Sequence, residues 1–280
     1  MKPVKRPAKD SHAIDPDEPV APYDGRVATR YFSSVNGGPK QWYVLGCVYK
    51  DGNESAAFFA PSSAGLHLRS AWRAAHEASK LRKAVRWSTG WASKTQELKD
   101  LERVQEVNPA DVSTLFDFFE HAMVAVMSSY AAVEAFCNQV IAELGSEPFS
   151  IERSATDTHG KKVREMVDVS LETVEKTVST DEKLKRLVPK LLGSASPAGT
   201  CQLWEPYVEL QRVRNSVTHF KRRDISSTDA NAMAKPTVLY KLIQTEPYAF
   251  VEAAQNLIRH FASSKLQTHW LDDALMRRSE

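Results

Sequence analysis

The chain has 280 residues, 42% apolar and 26% charged, with a net charge of +2. This is ordinary globular composition, with length for one large or two small domains. So small a net charge means that any nucleic acid must be held by local basic patches. The three cysteines, Cys47, Cys137 and Cys201, lie far apart without a C-x-x-C pair. That excludes a disulfide framework or a zinc site and fits reduced thiols in a cytoplasmic protein. No apolar run approaches 18 residues and the N-terminus lacks an apolar h-region, so neither a membrane span nor a signal peptide is expected.

Residues 1–25, rich in proline and charge, read as a disordered arm. Residues 26–107 read as a small module of β strands and basic helices. Within it, RVATRYFSS, QWYVLGCVYK and SAAFFAP are strand-like runs separated by turn signals at Asn36-Gly37-Gly38-Pro39 and Asp51-Gly52-Asn53. They predict a three-stranded antiparallel meander over 26–61, covered by the next segment, because three strands do not stand alone.

That segment, 66–87, reads as a helix with two stripes. Ala71, Ala74, Ala78, Leu81 and Val85 form an apolar line whose small residues permit close packing on a sheet. Arg69, Arg73, His76, Lys80 and Lys83 form a basic line, with Trp72, Trp87 and Trp91 interleaved. Cations among aromatics can hold a nucleic-acid strand by phosphate contact and base stacking. An amphipathic helix with tryptophans in the core has the same pattern, and both readings stay open. Residues 95–107 read as a polar connecting helix.

Residues 108–280 read as a helical domain. Asn108-Pro109-Ala110-Asp111 is a helix start, and the helix is expected to run to Gly145, roughly 50 Å. Phe119, Met123, Val126, Tyr130, Val133, Cys137, Val140 and Leu144 recur along it at helical spacing, flanked by Phe116, Met127 and Ile141. So broad a stripe can meet helices of its own subunit and of a second chain. Residues 146–159 read as loop and 161–178 as a helix with Val163, Val167, Ser170, Val174 and Val178 inward. Ser179 and Glu182 match a capping box. A helix stopped by Gly193 follows, with Pro189 as a kink or end. Residues 226–245 are ambiguous, with a short extended piece expected at TVLYKLI. Pro247 opens a last amphipathic helix bearing Phe250, Ala254, Leu257 and Phe261, with Trp270 beyond.

The chemistry concentrates in PYVELQRVRNSVTHFKRRD, residues 206–224. Pro206 suits the first turn of a helix, with Tyr207, Leu210, Val213 and Val217 facing a core. Arg212, Arg214, Lys221, Arg222 and Arg223 outnumber the acids Glu209 and Asp224, an excess that attracts phosphate. Arginine clamps a phosphate through two parallel hydrogen bonds, and histidine titrates near neutrality. Together they can cleave RNA without a metal: a base takes the 2′-OH proton, the oxygen attacks phosphorus, and a cation holds the developing charge. On a regular helix Arg214 and His219 lie roughly 140° apart, while Asn215 and His219 share a face. One helix therefore presents the pair poorly to a single phosphate, whereas two facing copies can combine them. Equally, His219 can sit at a helix C-terminus, where imidazolium is favoured, with Arg214 a solvated charge.

The Arg214-Asn215-x-x-x-His219 arrangement resembles the R-x(4–6)-H motif of the HEPN superfamily, and the resemblance covers about residues 109–269. It implies an up-and-down helical bundle that forms a homodimer, with Arg214 and His219 catalytic and Asn215 orienting. Glu134, at the edge of the long helix's apolar face, matches a polar residue common on HEPN first helices and would orient Arg214 or His219; a surface acid is the plain alternative. The activity implied is a metal-independent, cofactor-free endoribonuclease of toxin–antitoxin or phage-defence type, with RNA as partner and an antitoxin or regulator possible in principle. Arg212, Lys221, Arg222 and Arg223, together with Arg69, Arg73, Lys80 and Lys83, would bind RNA. A non-catalytic HEPN-like module that binds RNA or protein is the alternative, and a companion of a nucleotidyltransferase is a third.

Overall fold

The longest element of the computed structural model is a helix of 33 residues, α2 (Val112–Leu144), and the core is built around it. The structure describes residues 29–32, 41–44, 46–51, 54–59, 61–89, 105–146, 148–156, 162–219, 237–262 and 270–271. The expected arm over 1–25, the turn at 36–39 and the basic residues 221–223 lie outside them. The described residues are mostly helical.

In chain order the described elements begin with β1 (Thr29–Phe32), β2 (Gln41–Val44), β3 (Gly46–Asp51) and β4 (Glu54–Phe59). The expected three-stranded meander is corrected here. β1 pairs antiparallel with β2 and β3 with β4, as two separate hairpins. The single run QWYVLGCVYK divides into β2 and β3, and Gly46, which weakens a strand interior, opens β3 opposite Phe59. Asp51 stands opposite Glu54, and Gly52 and Asn53 of the second expected turn lie outside the described residues.

Helix α1 (Ser63–Ala84) begins earlier than its apolar spacing suggests, because Ser62 caps it by accepting from the Gly65 amide at 3.1 Å. Its small residues Ala64, Ala71, Ala74, Ala75 and Ala78 are buried. They approach α2 rather than a sheet, where Ala122, Ala125, Ser129 and Ala132 are buried in turn. Small side chains on both helices let the backbones come close. One buried cluster runs from α1 through α2 to the last helix. After α1, β5 (Trp87–Thr89) pairs with β6 (Gln105–Val107). The expected connecting helix is therefore a strand at 105–107, and residues 95–104 lie outside the description.

The start of α2 follows its sequence: Asn108 Oδ1 accepts from the Ala110 amide at 3.0 Å, and Pro109–Asp111 forms a 3-10 turn. At its end Gly145 is needed for space, since a Cβ there would collide with the Ile141 carbonyl and the Phe149 ring. By length and composition alone the helix over Pro109–Leu144 is apolar enough to cross a bilayer, a test that a buried core helix also passes. More than half of its most apolar window, 56%, is buried within the protein, against α1 and the helices over Cys201–Thr218 and Pro247–Phe261.

The next two segments correct the sequence reading. β7 (Phe149–Thr156) and β8 (Lys162–Val169) form an antiparallel hairpin where a loop and a helix are expected. Val163 and Val167 are four residues apart, a spacing that fits a strand face as well as a helix. Ser170 ends the strand and caps α3 (Leu171–Thr177), accepting from the Thr173 amide. Half of the expected box forms: the Ser179 hydroxyl accepts from the Glu182 amide at 3.2 Å, while the Glu182 carboxylate pairs with Arg186 at 3.1 Å. From there α4 (Thr180–Glu182), a π-helical turn (Lys183–Leu187) and α5 (Val188–Leu192) run on to Gly193, whose φ of 67° is left-handed.

After a 3-10 turn (Pro197–Gly199), α6 (Cys201–Thr218) begins ahead of Pro206 and carries the motif in its last turns. Pro206 thus lies inside the helix, not at its first position; it withholds the amide that would bond Gln202, and both residues are exposed. α7 (Val238–Gln244) replaces the expected extended piece. Thr237 caps it by accepting from the Tyr240 amide, and Val238 and Leu242, four apart, are buried; that tertiary burial overrides the local β preference. α8 (Pro247–Phe261) buries Phe250, Ala254, Leu257 and Phe261 as its pattern requires, and Trp270 is buried beyond it.

Candidate functional site

Helix α6 is anchored by Tyr207, Leu210 and Val213, all buried, with Val217 packed at the edge of the core. That anchoring fixes its last turn against α2, where the Thr218 hydroxyl meets the Met127 sulfur at 3.6 Å. Arg214 is half-buried there, and Asn215 and His219 are exposed. The Arg214 guanidinium carbon lies 4.8 Å from the centroid of the Tyr130 ring. Its Nη1 donates to Asn215 Oδ1 at 3.0 Å, so Asn215 holds one tip of the fork. Its Nε is buried and makes no hydrogen bond.

His219 leaves the helix. Its φ of −125° and ψ of 71° are non-helical, and its amide closes α6 by donating to the Asn215 carbonyl at 3.1 Å. The regular-helix angle between Arg214 and His219 therefore does not apply to the last residue. No hydrogen bond joins the two side chains. His219 also occupies the helix C-terminus that the plain reading assigns it.

Behind Arg214 stands a set of residues whose role the sequence did not announce. Tyr130 packs on Tyr207, ring centroids 6.3 Å apart at an interplanar angle of 15°. Tyr207 donates to Asp181 Oδ1 at 2.8 Å, and Gln211 Nε2 donates to the same oxygen at 2.7 Å. Burial, first, and then Tyr130 and the Asp181 carboxylate push the Tyr207 phenol well above its usual range, so it stays a donor. In sequence Tyr130 and Tyr207 read only as members of apolar stripes. The available signal is their type, since a buried tyrosine needs a partner for its hydroxyl.

Glu134 lies elsewhere in the electrostatic layout. Among the described residues no hydrogen bond or ion pair joins it to Arg214 or His219. Its charge acts on Lys183 and Cys137. Lys183 has no exposed surface and donates to Asn138 Oδ1 at 2.8 Å and to the Glu175 carbonyl at 3.0 Å. Burial lowers its pKa against the pull of Cys137, Glu134 and Glu175. Burial likewise pushes the Cys137 thiol up to about 12, so it stays protonated.

The basic residues divide into engaged and open ones. Arg212 Nε donates to Glu209 Oε2 at 2.7 Å, and Lys241 Nζ to Glu209 Oε1 at 3.0 Å. Glu209 thus offsets a cation that the motif stretch counts as open and meets another from α7. On α1, Lys80 pairs with Glu77 at 3.0 Å, and Arg69 is half-buried. Arg73 and Lys83 are exposed and make no ion pair among the described residues. Trp72 is buried, its ring 5.2 Å from that of Tyr248, so it belongs to the core. The side chain of Trp87 and the whole of Trp91 fall outside the description.

Comparison with protein-family models, with curated proteins and with solved structures finds no match to this chain.

Proposed function

We propose that this chain is a HEPN-type, metal-independent endoribonuclease that works as a homodimer. The observation that carries the reading is the end of α6. There a guanidinium, unneutralised by any carboxylate among the described residues, rests on the Tyr130 ring, and an exposed histidine follows it. In the proposed reaction His219 takes the proton of a ribose 2′-OH. The 2′ oxygen attacks the adjacent phosphorus, and the 5′ oxygen leaves and takes a proton from solvent, to which His219 returns its own. Arg214 stabilises the charge on the pentacoordinate phosphorus. The products are a 2′,3′-cyclic phosphate and a 5′-OH. The Arg214 and His219 side chains of one chain share no hydrogen bond, which supports a cleft assembled from two copies. Arg73 and Lys83 are the cations of α1 best placed to hold RNA beyond the cleft. The HEPN-like bundle is part of this proposal.

A second reading has its own observation. Arg214 is half-buried, with Nε sealed from solvent and Nη1 given to Asn215, so its fork is partly committed to the fold. That favours a HEPN-like module that binds RNA or protein without cutting. Incubating purified protein with RNA in EDTA separates the two. The nuclease leaves 2′,3′-cyclic phosphate ends. Retarded but intact RNA selects the binding module, and cleavage abolished by the chelator overturns the metal-independent mechanism.

A further inference from the structure

We propose that Tyr130 is the positioning residue of Arg214, and that Tyr207 and Asp181 hold Tyr130 in place for that purpose. The inference rests on the reading of Arg214 as the cation of the RNA-cleaving cleft. An arginine side chain is long and samples many rotamers when free. A free guanidinium follows the phosphate wherever it moves, which favours ground state and transition state alike. A cation that favours the transition state has to be fixed beforehand.

Among the described residues Arg214 is restrained by neutral groups alone. The Tyr130 ring lies under its guanidinium carbon at 4.8 Å, and Asn215 Oδ1 takes one Nη1 hydrogen. Neither contact cancels the charge, and no ion pair with a carboxylate does so among the described residues. A carboxylate would fix the guanidinium as firmly but would leave less charge for a phosphate. The ring is the surface on which the guanidinium rests.

The ring is itself held. Tyr130 is buried, and Tyr207, with no exposed surface, packs nearly parallel to it. Tyr207 stands two turns before Arg214 on α6, hence on the same side of that helix. Its hydroxyl is tied to Asp181, which Gln211 also grips. Lys185 Nζ lies 3.7 Å from Asp181 Oδ2 and 4.8 Å from the centre of the Trp204 ring. Asp181 sits in the first turn of α4, where Ser179 caps the helix and a carboxylate is favoured. The line Asp181–Tyr207–Tyr130–Arg214 thus links the start of α4, helix α6 and helix α2 to one guanidinium. A merely space-filling residue at 130 has no need of a flat face. A positioning residue does, so Phe and Leu at this site separate the two roles.

The test has two arms. In the first, the Arg214 Nε–Hε signal of 15N-arginine-labelled protein is assigned by its loss in Arg214→Lys. Ring-current shift and slow hydrogen exchange are expected in the wild type and in Tyr130→Phe, and both are lost in Tyr130→Leu. In the second, single-turnover cleavage is followed well below each variant's Tm. Tyr130→Leu should lower kcat about tenfold to a hundredfold, the cost of slight misplacement, with KM little changed, and Tyr130→Phe should rescue it. Tyr207→Phe, which keeps the stack and drops the bond to Asp181, should show a smaller fall in kcat and serves if Tyr130→Leu does not fold. An Nε–Hε signal indifferent to Tyr130→Leu overturns the positioning role whether or not the protein cuts RNA. So does a shifted signal with unchanged kcat. A wild type that cuts no RNA while the signal behaves as expected overturns the nuclease reading and leaves Tyr130 the fixer of Arg214 in a binding module.

Discussion

The Arg86 guanidinium meets the Asp111 carboxylate edge to edge, Nε to Oδ2 and Nη2 to Oδ1 both at 2.8 Å. The Arg86 amide adds a third bond to Oδ2 at 3.0 Å. This contact closes the chain between the end of α1 and the start of α2. Through the Arg86 side-chain bond first, and then its backbone bond, the Asp111 pKa falls from 3.8 to about 2. A carboxyl with a folded pKa below its unfolded one contributes stability that is complete above the unfolded value and lost as pH falls through the folded one. Asp111→Asn should therefore lower Tm near neutral pH, with the gap to wild type closing between about pH 4 and pH 2. A gap independent of pH over that window would contradict this assignment.

Lys183 is expected to matter for stability rather than for chemistry. Lys183→Met leaves Asn138 Oδ1 and the Glu175 carbonyl without the donor they share. Half-buried acceptors so stranded should cost toward the lower end of the roughly 1–3 kcal/mol of fully buried ones, and urea unfolding should show a loss of that size. An unchanged midpoint would mean that solvent reaches the site.

The open cations of α1 make a separate claim. Arg73→Glu with Lys83→Glu should weaken RNA binding and flatten the dependence of log K on log salt by about 1–2 units of slope. An unaltered slope would make this stripe an ordinary solvated face. The stripe cannot be judged from all the aromatics interleaved with it, because Trp72 is core.

If the cleft takes Arg214 from one copy and His219 from the other, mixing inactive Arg214→Ala with inactive His219→Ala protein should restore part of the activity. A closed two-fold pair with one mutant of each kind retains one intact Arg–His centre. The exposed apolar residues of α2, Phe116 at 64% and Met127 at 36%, lie on the side where such contacts could form. A monomer at micromolar concentration by light scattering would contradict the composite cleft.

Long helices were legible because many residues vote on one period. The caps at Asn108 and Ser179, the stop at Gly193 and the apolar faces of α2 and α8 all follow from local sequence. Short elements were not. Val163 and Val167 fit a strand and a helix alike, and only pairing with β7 decides between them. The valine and tyrosine of TVLYKLI favour a strand until Thr237 caps the segment and the core takes Val238 and Leu242. Pro206 marks a helix start by local rule, yet α6 begins at Cys201. The residue types of the candidate site were visible in the motif. Their support was not, since Tyr130, Asp181 and Arg214 are brought together only by the packing of α2, α4 and α6.

The most direct measurement is the rate at which His219→Ala protein, shown to be folded by its Tm, cuts RNA in EDTA beside the wild type. Loss of a general base should slow cleavage by about 10²–10⁴-fold, with RNA affinity retained and the remaining products still ending in 2′,3′-cyclic phosphate. Cleavage by His219→Ala at the wild-type rate would contradict the assignment of this site.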